Sequence, residues 1–122
     1  MTRPILDDAF IHPAIREHID QHQRAIIHEV QKAAAAHAVL VVGMAMNPFC
    51  SKARKLLDEA NAPHHYLEYG SYLGRWRERN GLKMWAGWPT FPMVFVRGVL
   101  VGGANDLQRL IASGELAQRL AQ

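Results

Sequence analysis

The first third of the chain carries apolar residues at helical spacing. From Pro13 they recur at multiples of three and four as far as about Ala36, which predicts one long amphipathic helix. Proline suits the first helical position because its missing N–H would have no partner there. Residues 1–12 lack this pattern and are predicted to be a loose lead-in. His18 and His22 lie four residues apart, a spacing that can share a metal, but without an accompanying carboxylate motif a solvated helix face is favoured.

Short apolar runs then alternate with amphipathic segments. The run at 38–42 is β-branched and uninterrupted, which predicts a strand buried on both faces. A helix at 50–60 and a second strand at 64–69 follow. The further predicted elements are a polar helix at 75–86, a hairpin of strands 93–96 and 99–101, a helix capped by Asn105 or Asp106, and a last helix at 115–120. This order predicts a single α/β domain with a central four-stranded mixed sheet flanked by helices.

Composition and charge exclude several classes of protein. The 122 residues leave room for one hydrophobic core, and 49% hydrophobic with 20% charged residues fits neither a disordered nor a fibrous chain. A net charge of +3 is too small to indicate nucleic-acid binding. The longest uncharged apolar run, residues 38–46, is about half of a bilayer span, and the N-terminus has no signal-peptide core. We therefore expect a cytoplasmic protein with neither a membrane nor a nucleic-acid partner.

Cys50 is the only cysteine, so neither an intrachain disulfide nor an all-cysteine metal site can form within one chain. It lies where the loop after the first predicted strand enters a helix. Free N–H groups and the helix dipole stabilise a thiolate at such a position, which can lower the pKa of the thiol. A small buried hydrophobic residue would fit this position equally well. The position alone leaves both interpretations open.

The stretch W-P-T-F-P, residues 88–92, leads into an apolar strand. Its two prolines fix φ near −65° and keep the residues before them out of helical conformation. The bond before Pro92 is a candidate for the cis form, which costs only about 0.5–1 kcal/mol before proline. A cis bond would present the backbone of Phe91 outward as a free edge.

These motifs resemble the glutaredoxin family, whose fold is thioredoxin-like. N-P-F-C at 47–50, T-F-P at 90–92 and G-G-A-N-D at 102–106 fall in the family's order and spacing. The string R-N-G-L-K-M-W-A-G-W-P-T-F-P at 79–92 looks like the monothiol members, whose counterpart is R-x-x-L-K-x-Y-x-x-W-P-T-x-P. The resemblance implies a glutaredoxin-like domain at 38–122, with an extended N-terminal helix at 13–37 packed on it.

The active-site loop departs from the family pattern. Family members have C-P-Y-C or C-G-F-S, in which the first cysteine is the nucleophile or, in the monothiol class, a cluster ligand. Here Asn47 occupies that first position, and Cys50 occupies the fourth, where a resolving cysteine or a serine is usual. Met44 also replaces a lysine that those proteins usually carry. Because asparagine cannot attack a disulfide, turnover through the first position is excluded.

The resemblance further implies a glutathione site. Arg79 and Lys83, one helical turn apart, would hold the glycine carboxylate. The backbone of Phe91, between Thr90 and Pro92, would pair with the central residue of the tripeptide. For Arg79 and Lys83 the alternative is a solvated helix face.

The other end of the implied site follows the Gly-Gly turn. Gly103, with Asn105 or Asp106, would meet the γ-glutamyl end of glutathione. For Asn105 and Asp106 a purely structural role as helix caps is the alternative.

Three functions are compatible with these residues. In the first, the protein is an atypical monothiol glutaredoxin-like oxidoreductase: Cys50 forms a mixed disulfide with glutathione or a protein, and a second glutathione resolves it. In the second, catalysis has lapsed, Cys50 belongs to the core, and residues 88–91 with Trp76 and Trp85 recognise a partner protein or peptide. The third, a glutathione-dependent [2Fe–2S] carrier, is the least favoured because Asn47 stands in the ligand position and only Cys50 could bind iron. We expect no other metal site.

Overall fold

Four strands form one mixed sheet in the part of the chain described by the computed structural model, residues 3–122. Their order is β2-β1-β3-β4. Strand β1 pairs in parallel with β2 and antiparallel with β3, which pairs antiparallel with β4. The strands are β1 (Val39–Gly43), β2 (His65–Glu68), β3 (Met93–Val96) and β4 (Val99–Gly102). The predicted four-stranded mixed sheet is confirmed.

Helices cover both faces of this sheet. Within residues 3–122 they are α1 (Pro13–Gln21), α2 (Arg24–Ala36), α3 (Pro48–Glu59), α4 (Trp76–Ala86), α5 (Ala104–Ala112) and α6 (Glu115–Leu120), with a 3₁₀ turn at Asp8–Phe10. Side chains of β1 alternate between the faces, as the pleat of a strand requires. Leu40 and Val42 pack with α2 and α4, whereas Val39 and Val41 pack with α3, α5 and α6. All four are almost completely buried, which agrees with the prediction of a two-sided buried strand.

The N-terminal helical region differs from the prediction. A single helix from 13 to about 36 is wrong, because α1 ends at Gln21 and α2 begins at Arg24. Between them Gln23 adopts the left-handed conformation, with φ of 52°, which interrupts helical hydrogen bonding. Gln23 lies against Gly81 of α4: a Cβ built on Gly81 would stand 2.6 Å from the Cβ of Gln23. The chain therefore bends where it meets α4, a tertiary contact that spacing along the sequence cannot reveal.

The bend separates two helices of different character. Helix α2 buries Ile26 and Val30 against the domain, whereas α1 has no buried residue. Before α1, the Arg3 guanidinium donates to the backbone oxygen of Ala86 at 2.9 Å, so part of the predicted loose lead-in contacts the end of α4. Residues 1–2 of that lead-in lie outside the described residues. No helix within residues 3–122 is both long and apolar enough to span a membrane.

Strand register brings three loops and the start of a helix to the same end of the sheet. Val42 lies opposite Met93, so β1 ends where β3 begins. The parallel strand β2 ends beside Gly43, and β4 ends opposite Val94. Consequently the loops at 44–47, 69–75 and 88–92 and the N-terminus of α5 lie together at this end of the sheet.

Candidate functional site

Two adjoining cavities form a groove at this end of the sheet, where β1 ends and β3 begins. One has a volume of about 240 Å³ and lies at the start of α5, and the other, of about 350 Å³, lies toward α4. They share Phe49, Thr90 and Phe91. Nine of the ten residues singled out from the sequence line one or both cavities: Asn47, Arg79, Lys83, Thr90, Phe91, Pro92, Gly103, Asn105 and Asp106. Cys50 does not line either cavity.

The middle of the groove is formed by the Thr90–Pro92 turn. The Phe91–Pro92 peptide bond is cis. Phe91 buries its ring in the core at 6% exposure, whereas Thr90 is exposed. The ladder between β1 and β3 begins at Met93, and within the described chain the N–H and C=O of Phe91 make no backbone hydrogen bond. An extended peptide could therefore pair with Phe91 here.

Arg79 is a buried cation at the α4 side of the groove. It is 7% exposed, so the solvated-face interpretation is wrong for this residue. Its Nη1 donates to the backbone oxygens of Tyr69, at 2.9 Å, and Gly74. One part of the guanidinium thus braces the loop between β2 and α4, while the side chain still contributes positive charge to the groove.

Lys83 lies one helical turn further along α4 and is partly buried. Its Nζ is 5.7 Å from the centre of the Phe91 ring, a distance at which an ammonium is attracted to an aromatic face. Lys83 also lines a neighbouring cavity of about 770 Å³, beneath the N-terminal segment that contains Arg3. Of the two predicted cations, Lys83 is the one whose charged group is not held by backbone carbonyls.

The opposite end of the groove is the first turn of α5. Gly103 is the N-cap of this helix, so the predicted capping role is confirmed for Asp106, although not from the N-cap position. Asp106 instead accepts from the N–H of Gly103 at 2.9 Å, in the manner of the acidic residue of a capping box. The side-chain oxygen of Asn105 accepts from Lys52 at 3.0 Å. The first N–H groups of a helix lack intrahelical partners, so this end of the groove favours an anion.

Asn47 is the N-cap of α3 and is 9% exposed. Its side-chain oxygen accepts from the N–H groups of Phe49, at 2.8 Å, and Cys50, at 3.2 Å. These are the helix-terminal donors that would stabilise a thiolate at this position. The Asn47 side chain therefore takes up the two hydrogen bonds that would stabilise a thiolate at this position.

Cys50 lies beneath the loop rather than in the groove. It is 2% exposed, and a Cβ built on Gly43 would stand 2.8 Å from its sulfur and 3.0 Å from the Tyr66 hydroxyl. Burial raises the pKa of the Cys50 thiol, a backbone hydrogen bond from Met44 opposes this, and the charge of Glu68 adds to the rise. The thiol is therefore neutral near pH 7. Of the two interpretations of Cys50, the small buried hydrophobic residue agrees better with this environment.

The structure adds groove residues that the sequence did not single out. These are Phe49 and Tyr72. Trp88, which the sequence predicted as part of a recognition surface at 88–91, lines the cavity at α5. Trp88 could be found from the sequence because it belongs to the W-P-T-x-P motif. Tyr72 belongs to no such motif, and only the fold of the loop between β2 and α4 brings it to the groove. The two other tryptophans differ: Trp76 is 57% exposed, whereas Trp85 is partly buried, packs against the core and stacks on Phe95 with ring centres 6.3 Å apart.

Comparison with known proteins agrees with this arrangement. The family model described as glutaredoxin matches residues 39–101, more than half of the chain. The chain belongs to the glutaredoxin family. A glutaredoxin-like protein of Dictyostelium discoideum is 42% identical over 102 residues, which cover 84% of this chain and 83% of that protein. Monothiol glutaredoxin-4 of Schizosaccharomyces pombe is 32% identical over 70% of this chain but only 36% of its own length.

Solved glutaredoxin structures share the fold. A buckwheat glutaredoxin–glutathione complex superimposes with a TM-score of 0.74 at 22% identity, covering 84% of this chain and 93% of that protein. Oxidized glutaredoxin 2 from Chlamydomonas reinhardtii gives a TM-score of 0.71 at 26% identity, with 83% of this chain and 95% of that protein covered. The thioredoxin-like glutaredoxin fold predicted from the motifs is confirmed.

Proposed function

We propose that this glutaredoxin-family protein binds glutathione non-covalently in the groove and does not exchange disulfides through Cys50 in the folded state. The observation that carries the proposal is the state of the active-site loop. Asn47 occupies the nucleophile position as a helix cap, and the only thiol is 2% exposed and outside the groove. The function is that of a binding module whose family chemistry has lapsed.

The chemical character of the groove supports glutathione as the ligand. A cation, Lys83, stands at one end and the N-terminus of α5 at the other, and glutathione carries a carboxylate at each end. Between them, the backbone of Phe91 offers an N–H and a C=O to an extended peptide. The buckwheat protein with the same fold was solved as a glutathione complex, which supports the same ligand class here.

The chemistry of thiol exchange argues against catalysis through Cys50. A thiolate is the attacking species, and it must reach the sulfur of a disulfide. Burial both raises the pKa of Cys50 and keeps the thiol from contact with a substrate. A cluster carrier would need the same Cys50 thiolate as an iron ligand. We therefore expect no [2Fe–2S] cluster to form. Anaerobic reconstitution with iron, sulfide and glutathione checks this prediction.

A second candidate is the glutathione-linked oxidoreductase that uses Cys50. It is favoured by the position of Cys50 in the first turn of α3 and by its backbone hydrogen bond from Met44, which lowers the thiol pKa. This candidate requires the loop at 44–47 to open, so that the sulfur enters the groove.

Calorimetric titration with glutathione, combined with reduction of a small glutathione mixed disulfide, separates the candidates. We expect glutathione to bind the wild type and Cys50→Ser with equal affinity, and both proteins to show no turnover above the uncatalysed rate. Turnover in the wild type that Cys50→Ser abolishes would establish the oxidoreductase instead. Absence of glutathione binding to either protein would reject the binding proposal.

A further inference from the structure

We infer that the indole N–H of Trp88 recognises the α-carboxylate of the γ-glutamyl residue and thereby selects γ-linked peptides. The inference rests on the proposed function, because it assigns a specificity-determining residue to the same groove. It starts from an unpaired polar group in the interior. Among residues 3–122, Trp88 Nε1 is the one buried side-chain nitrogen or oxygen without a hydrogen-bond partner.

An orphaned donor of this kind needs an explanation. Most buried polar side-chain atoms in folded proteins are hydrogen-bonded, and leaving one unpaired costs about 1–3 kcal/mol. An unpaired N–H deep in the core would only lower the stability of the fold, but Trp88 lines the cavity at the start of α5. A donor at a ligand cavity can gain its acceptor from the ligand.

The surroundings of Gly103 show which ligand group fits. A Cβ built on Gly103 would stand 3.8 Å from Trp88 Nε1, 3.5 Å from the backbone oxygen of Pro92 and 3.9 Å from Oδ2 of Asp106. One donor and two acceptors therefore surround the space that the missing side chain leaves open. The first N–H groups of α5 lie at the same end of the groove.

This mixture of donors and acceptors matches a free amino-acid head group. An α-ammonium can donate to the acceptors, while an α-carboxylate can accept from the indole N–H and the helix amides. A γ-glutamyl residue carries both groups on one carbon, because its peptide bond is formed through the side chain. An ordinary peptide N-terminus carries the ammonium alone and would leave Trp88 Nε1 unpaired.

Nuclear magnetic resonance can follow this N–H directly. The three indole N–H signals of the ¹⁵N-labelled wild type are assigned with Trp76→Phe, Trp85→Phe and Trp88→Phe. Because Nε1 is closed to solvent in this structure, the ring must move slightly to meet the ligand. We expect glutathione to shift the Trp88 signal downfield, and 4-aminobutanoyl-cysteinylglycine, which lacks only the α-carboxylate, to leave it near its starting position.

Affinities measured by calorimetry complete the test. A hydrogen bond to a charged group corresponds to an affinity difference of about tenfold or more. We expect Trp88→Phe to weaken glutathione binding by that factor and to leave binding of the decarboxylated analogue unchanged. Trp85→Phe is the matched control, because Trp85 packs on Phe95 in the core.

The outcomes separate this inference from the proposed function. If glutathione binds the wild type but the Trp88 signal does not respond, or Trp88→Phe binds it equally well, the inference is overturned and the proposed function stands. If glutathione does not bind the wild type, both are overturned. A Trp88 response to both ligands alike would also overturn the inference, since it would not depend on the carboxylate.

Discussion

At the scale of single residues, the proposed absence of catalysis rests on Asn47, which the family resemblance aligns with the nucleophilic cysteine. Asn47 caps α3, and its amide side chain cannot act as the nucleophile that the resemblance implies at this position. Its side-chain oxygen holds the two amides that would otherwise lower the pKa of a thiol there. Cys50 is 2% exposed, so in the proposed function it does not serve as a substitute nucleophile.

If Asn47 stands at the nucleophile position, as proposed, one substitution should supply the reactive thiol. We expect Asn47→Cys to gain glutathione-dependent reduction of a mixed disulfide. The new thiolate can accept hydrogen bonds from the N–H groups of Phe49 and Cys50, and position 47 lines the groove. Asn47→Ser is the matched control: it keeps a cap oxygen but should remain inactive. Asn47→Cys should also lower the free energy of unfolding by about 1 kcal/mol, measured with urea, because it removes the side-chain oxygen that caps α3. Inactivity of a folded Asn47→Cys would show that the groove no longer supports the reaction.

The buried thiol of Cys50 predicts how stability depends on pH. Because its pKa is raised in the folded state, the unfolded chain loses this proton first as pH rises through about 8.5. The folded state then binds more protons than the unfolded state. The stability that the Cys50 thiol contributes is therefore fully present below that pH and is lost as the pH rises above it.

We therefore expect the free energy of unfolding, measured with urea at pH 7 and pH 9.5, to fall less in Cys50→Ala than in the wild type. Above pH 10, Tyr66 and Tyr69, whose pKa values are raised mainly by burial, should add to the loss in both proteins. An identical fall from pH 7 to 9.5 in both proteins would contradict the burial of this thiol.

At the scale of elements, the contact between α2 and α4 explains why the N-terminal helix breaks. Gln23 is left-handed and lies over Gly81, whose missing side chain permits the approach. Periodicity correctly predicted helix on both sides of the break, but the break itself occurs at a contact with a residue some sixty positions away in the sequence.

Gly81→Ala tests this contact. In most helices alanine in place of glycine stabilises by roughly 0.5–1 kcal/mol. Here the added methyl would stand 2.6 Å from the Cβ of Gln23, so we expect destabilisation of about 1–3 kcal/mol, as for other overpacked sites. Combining it with Gln23→Gly, which removes that Cβ and suits a positive φ, should recover most of the loss. Stabilisation by Gly81→Ala alone, measured by urea unfolding, would contradict the close approach.

At the scale of the whole molecule, the sheet register assembles a groove from segments distant in sequence. Its two ends come from α4 and α5, and the turn at 90–92 lies between them. A ligand that spans both ends should bind the folded state alone and stabilise the entire domain by mass action.

We expect glutathione at about 100 times its Kd to stabilise the protein by about 2.7 kcal/mol, seen as a rise of several degrees in Tm. Lys83→Met keeps most of the side-chain length but removes the charge, so it should reduce this rise strongly. Lys55→Met, on an exposed position of α3, is the matched control and should leave the rise unchanged. An equal rise in both variants would exclude Lys83 from the site.

Much of the fold and part of the site could be predicted without coordinates. Uninterrupted apolar runs identify β1 and β3, and the family motifs identify nine residues that line the groove. The roles of individual side chains could not be predicted. Whether Arg79 faces solvent depends on carbonyls of another loop, and the capping of α5 by Gly103 depends on how β4 enters that helix.

The sequence by itself determined the family, the mixed sheet, the absence of a cysteine at position 47 and the presence of a single thiol. These follow from local patterns and residue identities. Only the tertiary structure decided that Cys50 is buried, that Arg79 braces a loop, that the N-terminal helix bends at Gln23 and that Trp88 holds an unpaired N–H. Each of these depends on contacts between residues far apart in the chain, and such contacts set burial, pKa and hydrogen bonding.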